Sequence, residues 1–287
     1  MANKQTQIIG ITGGKGGTGK SVVATALACE LAKNFKVLLV DADVDCPNDH
    51  LLLNITRKMK QSVAQRIPKW DFAKCNQCGL CGVVCKTKAI AAIKNRNPIF
   101  TSEQCNGCGA CALKCPQKAI GWTEKQIGKI YQGKNYNVEF LSGELKINEP
   151  VSEFVVNELG EIIQGVLWVE KIKKNYDYII IDTAAGIHCP VIAALEMCDR
   201  AFAVTEPTPL GRHDLKLILQ LLQKLNIKAR IILNRADIGD KSLIYDLAAK
   251  MQAEVVVEIP YSKNIAQKYA KGEPIRDENI KKIIGIF

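Results

Sequence analysis

Apolar and polar positions along this 287-residue chain alternate between two rhythms. Short continuous apolar runs lie at Gln7 to Thr12, Lys36 to Val40, Tyr178 to Ile181, Ala201 to Thr205, Ala229 to Leu233 and Glu254 to Ile259, and read as buried strands. Helical signals lie between them, over Ser21 to Lys33, Leu215 to Leu225 and Leu243 to Gln252. Strands that alternate with helices predict an α/β protein with a doubly wound, mostly parallel sheet. Ligands are then expected at the carboxyl ends of the strands.

One stretch breaks the rhythm, and it is an internal repeat. Cys75, Cys78, Cys81 and Cys85 return thirty residues later as Cys105, Cys108, Cys111 and Cys115, and Lys88-Ala89-Ile90 returns as Lys118-Ala119-Ile120. A duplicated half-unit predicts one compact twofold module, an α+β insertion at 67–122 with Pro68 at its start. The body is thereby divided into 1–66 and 123–287. Its second part begins with a hairpin, Ile127 to Tyr131 and Asn137 to Leu141, that could belong to either unit, and the body resumes near Gly143.

The repeated spacing is C-x2-C-x2-C-x3-C. Three thiolates on a tight loop can cap three irons of one [4Fe-4S] cubane, while the remote fourth cysteine serves the other cluster. The doubled pattern resembles that of bacterial two-cluster ferredoxins. The resemblance implies one cluster on Cys75, Cys78, Cys81 and Cys115, and a second on Cys85, Cys105, Cys108 and Cys111. Gly79, Gly107 and Gly109 let backbone N–H groups turn toward the sulfurs. Pro116 follows Cys115 as expected, whereas Lys86 replaces the proline expected after Cys85. A zinc ribbon would need a wider internal gap.

The first strand runs into Gly14-Lys15-Gly16-Gly17-Thr18-Gly19-Lys20-Ser21, a Walker-A phosphate loop placed between a strand and a helix. Its glycines let N–H groups converge on phosphate oxygens, and the helix directs its positive dipole end at the same charge. Lys20 is expected at the β- and γ-phosphates of ATP or ADP, and the Ser21 hydroxyl on Mg²⁺.

Lys15 narrows the reading. The lysine-doubled loop resembles the signature of the MinD, ParA, Mrp and nitrogenase-iron-protein superfamily of deviant Walker-A ATPases. The resemblance implies a nucleotide-sandwich dimer in which Lys15 reaches the partner's ATP, as an arginine finger would. It also implies that Val37 to Asp45 is switch I, with Asp43 orienting the attacking water near Mg²⁺. Asp41 could equally be a structural carboxylate. Tyr178 to Gly186 matches Walker B and switch II, with Asp182 holding Mg²⁺ through water. Leu233-Asn234-Arg235 resembles the adenine-contacting segment, with Asn234 as reader, and Glu258-Ile259-Pro260 resembles a second wall, with Pro260 against the base.

Composition adds limits. Apolar residues make up 47% and charged residues 24%, ordinary for a globular protein. The polar start shows no leader, and no apolar run approaches the roughly 18–20 residues that span a bilayer. A cytoplasmic location is therefore expected, where dense cysteine runs bind metal rather than form disulfides. The formal charge of +10 falls to about +6 once two cubanes of about −2 each are counted. The excess suits an acidic partner, a nucleic acid or an anionic lipid surface, and by itself decides among none of them. Of the twelve cysteines, Cys29 and Cys198 read as core, and Cys46 as either packing or a ligand. Cys189 stands seven residues after Asp182, the distance at which the nitrogenase iron protein carries its bridging ligand. It is either an inert switch thiol or a metal ligand at a dimer interface, and His188 beside it reads as a surface histidine. Ile280, Ile283, Ile284 and Phe287 share a face of a short terminal helix, expected to dock on the body rather than on a membrane. Trp70, Trp122 and Trp168 show no pattern of nucleic-acid stacking.

Together these features predict a MgATP-binding, dimerisation-dependent ATPase with two [4Fe-4S] clusters. It would couple nucleotide-driven motion to electron transfer or cofactor handling with a redox or cluster-accepting protein. A homodimer, or a heterodimer with a paralogous ATPase, is implied. Two alternatives stand beside this reading: an Mrp-type iron-sulfur or metal carrier using Cys189, and a ParA- or MinD-like positioning ATPase on DNA or membrane. The last ranks lowest because positioning needs no redox centre, so neither nucleic acid nor membrane is an expected partner.

Overall fold

The computed structural model describes residues 6–165 and 175–286. Trp168 and Phe287 lie outside the described residues. In chain order the elements are β1 (Gln7–Thr12), α1 (Lys20–Leu31), β2 (Val37–Ala42), α2 (Asp49–Leu52), β3 (Lys58–Trp70), α3 (Leu80–Val84), β4 (Ile90–Ala91), β5 (Ile99–Phe100), α4 (Ala110–Leu113), β6 (Ile120–Asn135) and β7 (Val138–Leu145). There follow α5 (Glu153–Gln164), β8 (Tyr178–Thr183), α6 (Cys189–Leu195), β9 (Arg200–Thr205), α7 (Pro209–Lys224), β10 (Lys228–Asn234), α8 (Ser242–Lys250), β11 (Glu254–Ile259), α9 (Lys263–Lys271) and α10 (Glu278–Ile284).

Nine strands form one sheet in the order β11-β10-β9-β1-β8-β2-β7-β6-β3. From β11 to β7 every neighbouring pair is parallel, and at one edge only β6 is reversed, antiparallel to both β7 and β3. Alternate residues of the central strands serve opposite faces, as strand geometry requires. Ile9 and Ile11 of β1 pack with α1 and α10, while Ile8 joins the core beneath α5 and α6. Farther along that second face, α7 and α8 cover β9 and β10. Helices on both faces make this a doubly wound α/β fold. The terminal α10 buries Ile280 and Ile283 against the α1 layer, with Lys281 and Lys282 exposed. Among the described residues no helix is long and apolar enough to cross a membrane.

The hairpin of open ownership sits in the main sheet. β7 pairs parallel to β2, and β6 turns back along it. β3 pairs with β6 from Lys58 opposite Gln132 to Trp70 opposite Ile120, and beyond Gly128, where β7 ends, the pair continues as a two-stranded ribbon from Ala64 opposite Gln126. The expected divisions at 66/67 and 122/123 fall within this ribbon, where Ile67 pairs with Thr123. Pro68 is tolerated because β3 is the edge strand, where a missing N–H costs no ladder bond.

The ribbon carries the cysteine-rich segment, which keeps the sequence repeat in three dimensions. Trp70 pairs with Ile120, and Phe100 with Ile90, so each pairing maps onto the other by a shift of thirty. Gly79 and Gly109 adopt φ of 80° and 77° and open the short helices α3 and α4 at equivalent places. Lys88 and Lys118 both adopt positive φ, and the alanines that follow them are both buried. The rings of Trp70 and Phe100 meet across the pseudo-twofold with centroids 5.3 Å apart.

Candidate functional site

β1 is central in the sheet, so the loop after it emerges at the carboxyl edge, where α/β folds bind ligands. Two of its glycines are sterically required. A Cβ on Gly14 would stand 2.5 Å from the carbonyl oxygen of Asp214, and Gly19 adopts φ 95° with a Cβ position 2.3 Å from the Asn234 amide nitrogen. α1 begins directly after Gly19 with no side-chain cap and no acid in its first turn. Its first N–H groups therefore remain available to an anion.

A cavity of about 350 Å³ opens beside this loop. Gly17, Gly19, Lys20 and Ser21 line one end, while Asn234, Pro260 and Tyr261 line the other. The Asn234 amide donates to the Thr18 carbonyl at 2.8 Å, tying β10 to the phosphate loop. Lys20 is buried and its ammonium donates to the Lys15 carbonyl at 3.3 Å. Arg235, of the expected adenine-contacting segment, and Tyr269, which the sequence reading did not single out, also line the cavity.

Lys15 meets an acid of its own chain. Its ammonium lies 3.3 Å from a carboxylate oxygen of the buried Glu206, whose other oxygen pairs with Arg235. Glu206 follows β9 and was not recognised in the sequence, because only the fold brings position 206 beside position 15.

Carboxylates converge behind Lys20. Asp41 is almost fully buried, and its oxygens accept from the backbone N–H groups of Asp43, Asn48 and Asp49 at 3.2, 2.9 and 3.1 Å. It shapes the loop after β2, which favours its structural reading. Asp43 is held above the usual carboxylate range by burial, with Lys20 acting in the other direction. Burial pushes Asp182, at the end of β8, up to about 7, against a hydrogen bond from Ser21 and the charge of Lys20. Asp49 was also missed by the sequence reading. It is fully buried in α2 and raised first by burial and then by the charges of Asp182 and Asp41. One oxygen of Asp182 and both oxygens of Asp49 are buried without a hydrogen-bond partner. Unpartnered hard oxygens beside a serine hydroxyl suit Mg²⁺, which takes one or two carboxylates and otherwise keeps its water. The Asp182 carboxylate beside Ser21 is therefore compatible with the ion expected from the sequence, while no unpartnered oxygen marks Asp43 as a ligand.

Switch II is tied to the phosphate loop through the Gly186 N–H, which donates to the Gly13 carbonyl at 3.1 Å. His188 contacts the Ala185 carbonyl, and both His188 and Cys189 are exposed. Cys46 is exposed as well. Cys198 is half-buried against the core with its thiol on the Ala194 carbonyl, and burial raises Cys29 to about 12.

In the cysteine-rich segment a small cavity is lined by Cys75, Cys78, Cys81 and Cys115. Cys85 packs with Cys105 around Ile67 and Ala89 and also borders the cluster of Ile90, Cys111 and Ile120 that Cys81 and Cys115 touch, and Cys105 and Cys108 lie close enough to Cys111 for their charges to act on it. N–H groups of Gly107 and Ala119 donate to the sulfurs of Cys105 and Cys115 at 3.4 and 3.3 Å. Among the described residues no three His, Cys, Asp or Glu converge tightly enough to hold a single metal ion.

Residues 9–275 match the CbiA family, the CobQ/CobB/MinD/ParA nucleotide binding domain. The chain belongs to this family. It is a P-loop ATPase of the MinD/ParA kind. Two proteins of Methanocaldococcus jannaschii, MJ0579 and MJ0578, are each 34% identical to this ATPase, over 94% and 95% of its length and 91% of theirs. Among solved structures, the cell division ATPase MinD of Pyrococcus furiosus superposes with a TM-score of 0.60 at 20% identity, covering 99% of this chain and all of that one. The septum site-determining protein MinD of Pyrococcus horikoshii, solved with Mg-ADP, gives 0.57 at 22% identity, covering 94% and 87%. At such identities the structural likeness speaks for the fold alone.

Proposed function

We propose that this ATPase is a dimerisation-dependent switch whose nucleotide state is relayed through the β3–β6 ribbon to a segment carrying two [4Fe-4S] clusters. The phosphate loop and its cavity carry the nucleotide part of the reading, aided by the Mg-ADP complex of the related septum protein. Lys20 and the α1 amides would hold the phosphates, Asn234 and Pro260 the base, and Asp43 the attacking water. Mg²⁺ held by Ser21 and Asp182 would screen charge on the transferred phosphoryl group. Lys15 would leave Glu206 and reach the nucleotide of a second copy, or of a paralogue. That two related proteins occur in one organism supports a paired partner.

The iron-sulfur part rests on one observation: Cys115 lines the cavity of the first cysteine triplet, while Cys85 packs with the second. Such an exchange suits cubanes. A single zinc ion would gather sulfurs within about 2.3 Å of one point, whereas a cubane spreads its ligands around a wider body. The clusters would supply low-potential electron transfer, and this chain's residues would set their sulfur hydrogen bonding and exposure.

A second reading has its own support. The named relatives match a positioning ATPase better than an electron-transfer protein, since cell division and septum placement are what those proteins are named for. An Mrp-type carrier, with Cys189 holding metal between subunits, is a third; exposure of Cys189 is compatible with it.

Anaerobically reconstituted protein separates these readings. About eight irons per chain, with cubane EPR signals on reduction, is the expected result. Far fewer irons, together with ATP-dependent and salt-sensitive binding to DNA or liposomes, would transfer the assignment to positioning. A labile third metal lost in Cys189→Ala would favour the carrier.

A further inference from the structure

Two aspartates eight positions apart in the chain, Asp41 and Asp49, meet at this site, equally buried and differently treated. Asp41 receives three backbone N–H donors. Asp49, with 0% exposure, receives no N–H or hydroxyl donor on either oxygen and lies within hydrogen-bonding reach of the Asp182 carboxylate, which also has an oxygen without a donor. A buried carboxylate without a donor is costly, and native structures seldom leave one without a function. Among the described residues no ammonium or guanidinium group hydrogen-bonds Asp49, and the Lys20 ammonium donates to the Lys15 carbonyl. Hard, unpartnered oxygens on two neighbouring carboxylates beside Ser21 are the donor set of a hydrated divalent ion.

We infer that Asp49 is a further carboxylate of the magnesium site, holding the ion of bound nucleotide through metal-bound water. The inference rests on the MgATP reading above and extends it to a residue outside the phosphate loop and both switches. It also gives the metal a mechanical connection. Asp49 opens α2, and the chain leaving α2 is gripped by Asn135 of β6, whose amide donates to the carbonyls of Leu53 and Asn54 at 2.9 and 3.1 Å. Gly133 of β6 lies so close to Ile55 that a Cβ there would stand 2.4 Å from its methyl carbon. α2 thus joins the metal site to the root of the ribbon that bears the cysteines.

The test uses the full chain and two titrations followed by calorimetry: ADP in EDTA, and Mg²⁺ at fixed ADP. In the isosteric Asp49→Asn variant, ADP affinity without metal should stay unchanged, and the Mg²⁺ concentration required should rise about tenfold or more. Thermal unfolding without metal serves as the folding control, and Asp49→Ser is the second variant should the first misfold. A Mg²⁺ requirement within about twofold of the parent, or lower, overturns the inference and leaves Asp49 as an acid sharing a proton with Asp182. If the unaltered chain binds no ADP in either titration, the nucleotide reading itself fails, and this inference with it.

Discussion

The body and the cysteine-rich segment solve the stability problem by opposite means. In the body, three apolar clusters flank the sheet, and residues such as Leu39, Ile180 and Leu219 are almost wholly excluded from water. In the segment, the two clusters centre on Ile67, Ala89 and Cys105, and on Ile90, Cys111 and Ile120, while Leu80, Val83, Ile99 and Leu113 stay exposed. At about 25 cal/mol per Å² of apolar area, such small clusters do not offset the ordering of some forty residues. A small unit of this kind needs cross-links or metal. Structure in the segment is therefore expected to depend on sulfur ligation, and structure in the body on burial.

The contrast can be broken in several ways. Iron chelation should have the largest effect: amide exchange should become fast across 75–118 while β1, β2 and β8 keep their protection. Slow exchange in the iron-free segment would refute the division. Lys15→Ala acts on the body alone, and hydrolysis should fall by about 10³-fold, as on removal of an arginine finger. Nucleotide affinity and iron content should stay unchanged, and parental turnover would remove the dimer mechanism. Leu39→Ala should cost about 2–5 kcal/mol in denaturant unfolding, with iron retained until the body unfolds. Leu113→Ala, at an 85% exposed site, should cost under about 0.5 kcal/mol. A larger loss would reveal an apolar contribution that the contrast denies.

The parallel half of the sheet was legible because its strands are continuous apolar runs, and β1 and β11 coincide with their expected ranges. The edge strand β3 was not, because only one of its faces is covered. Val63, Gln65 and Ile67 point inward between the exposed Ser62, Ala64 and Arg66, and a buried glutamine disguises the alternation. α7 starts at Pro209, six residues before the expected Leu215. Thr208, which accepts from the Gly211 N–H, and Pro209 are ordinary helix-start signals that the apolar pattern overshadowed. The phosphate loop was legible because its chemistry is contained in eight consecutive residues. Asp49 and Glu206 were hidden because their meaning depends on Asp182 and Lys15, each more than a hundred positions away in the chain. Asp49 sits beside a switch motif, and its proximity was the only hint available.

Because Ile67 and Thr123 stand opposite each other on neighbouring strands, the polypeptide leaves the nucleotide-binding body and returns to it about 5 Å apart. Everything distal to that pair behaves as a cassette: exchanging it for a tight turn would close the edge hairpin without disturbing the order of the parallel strands.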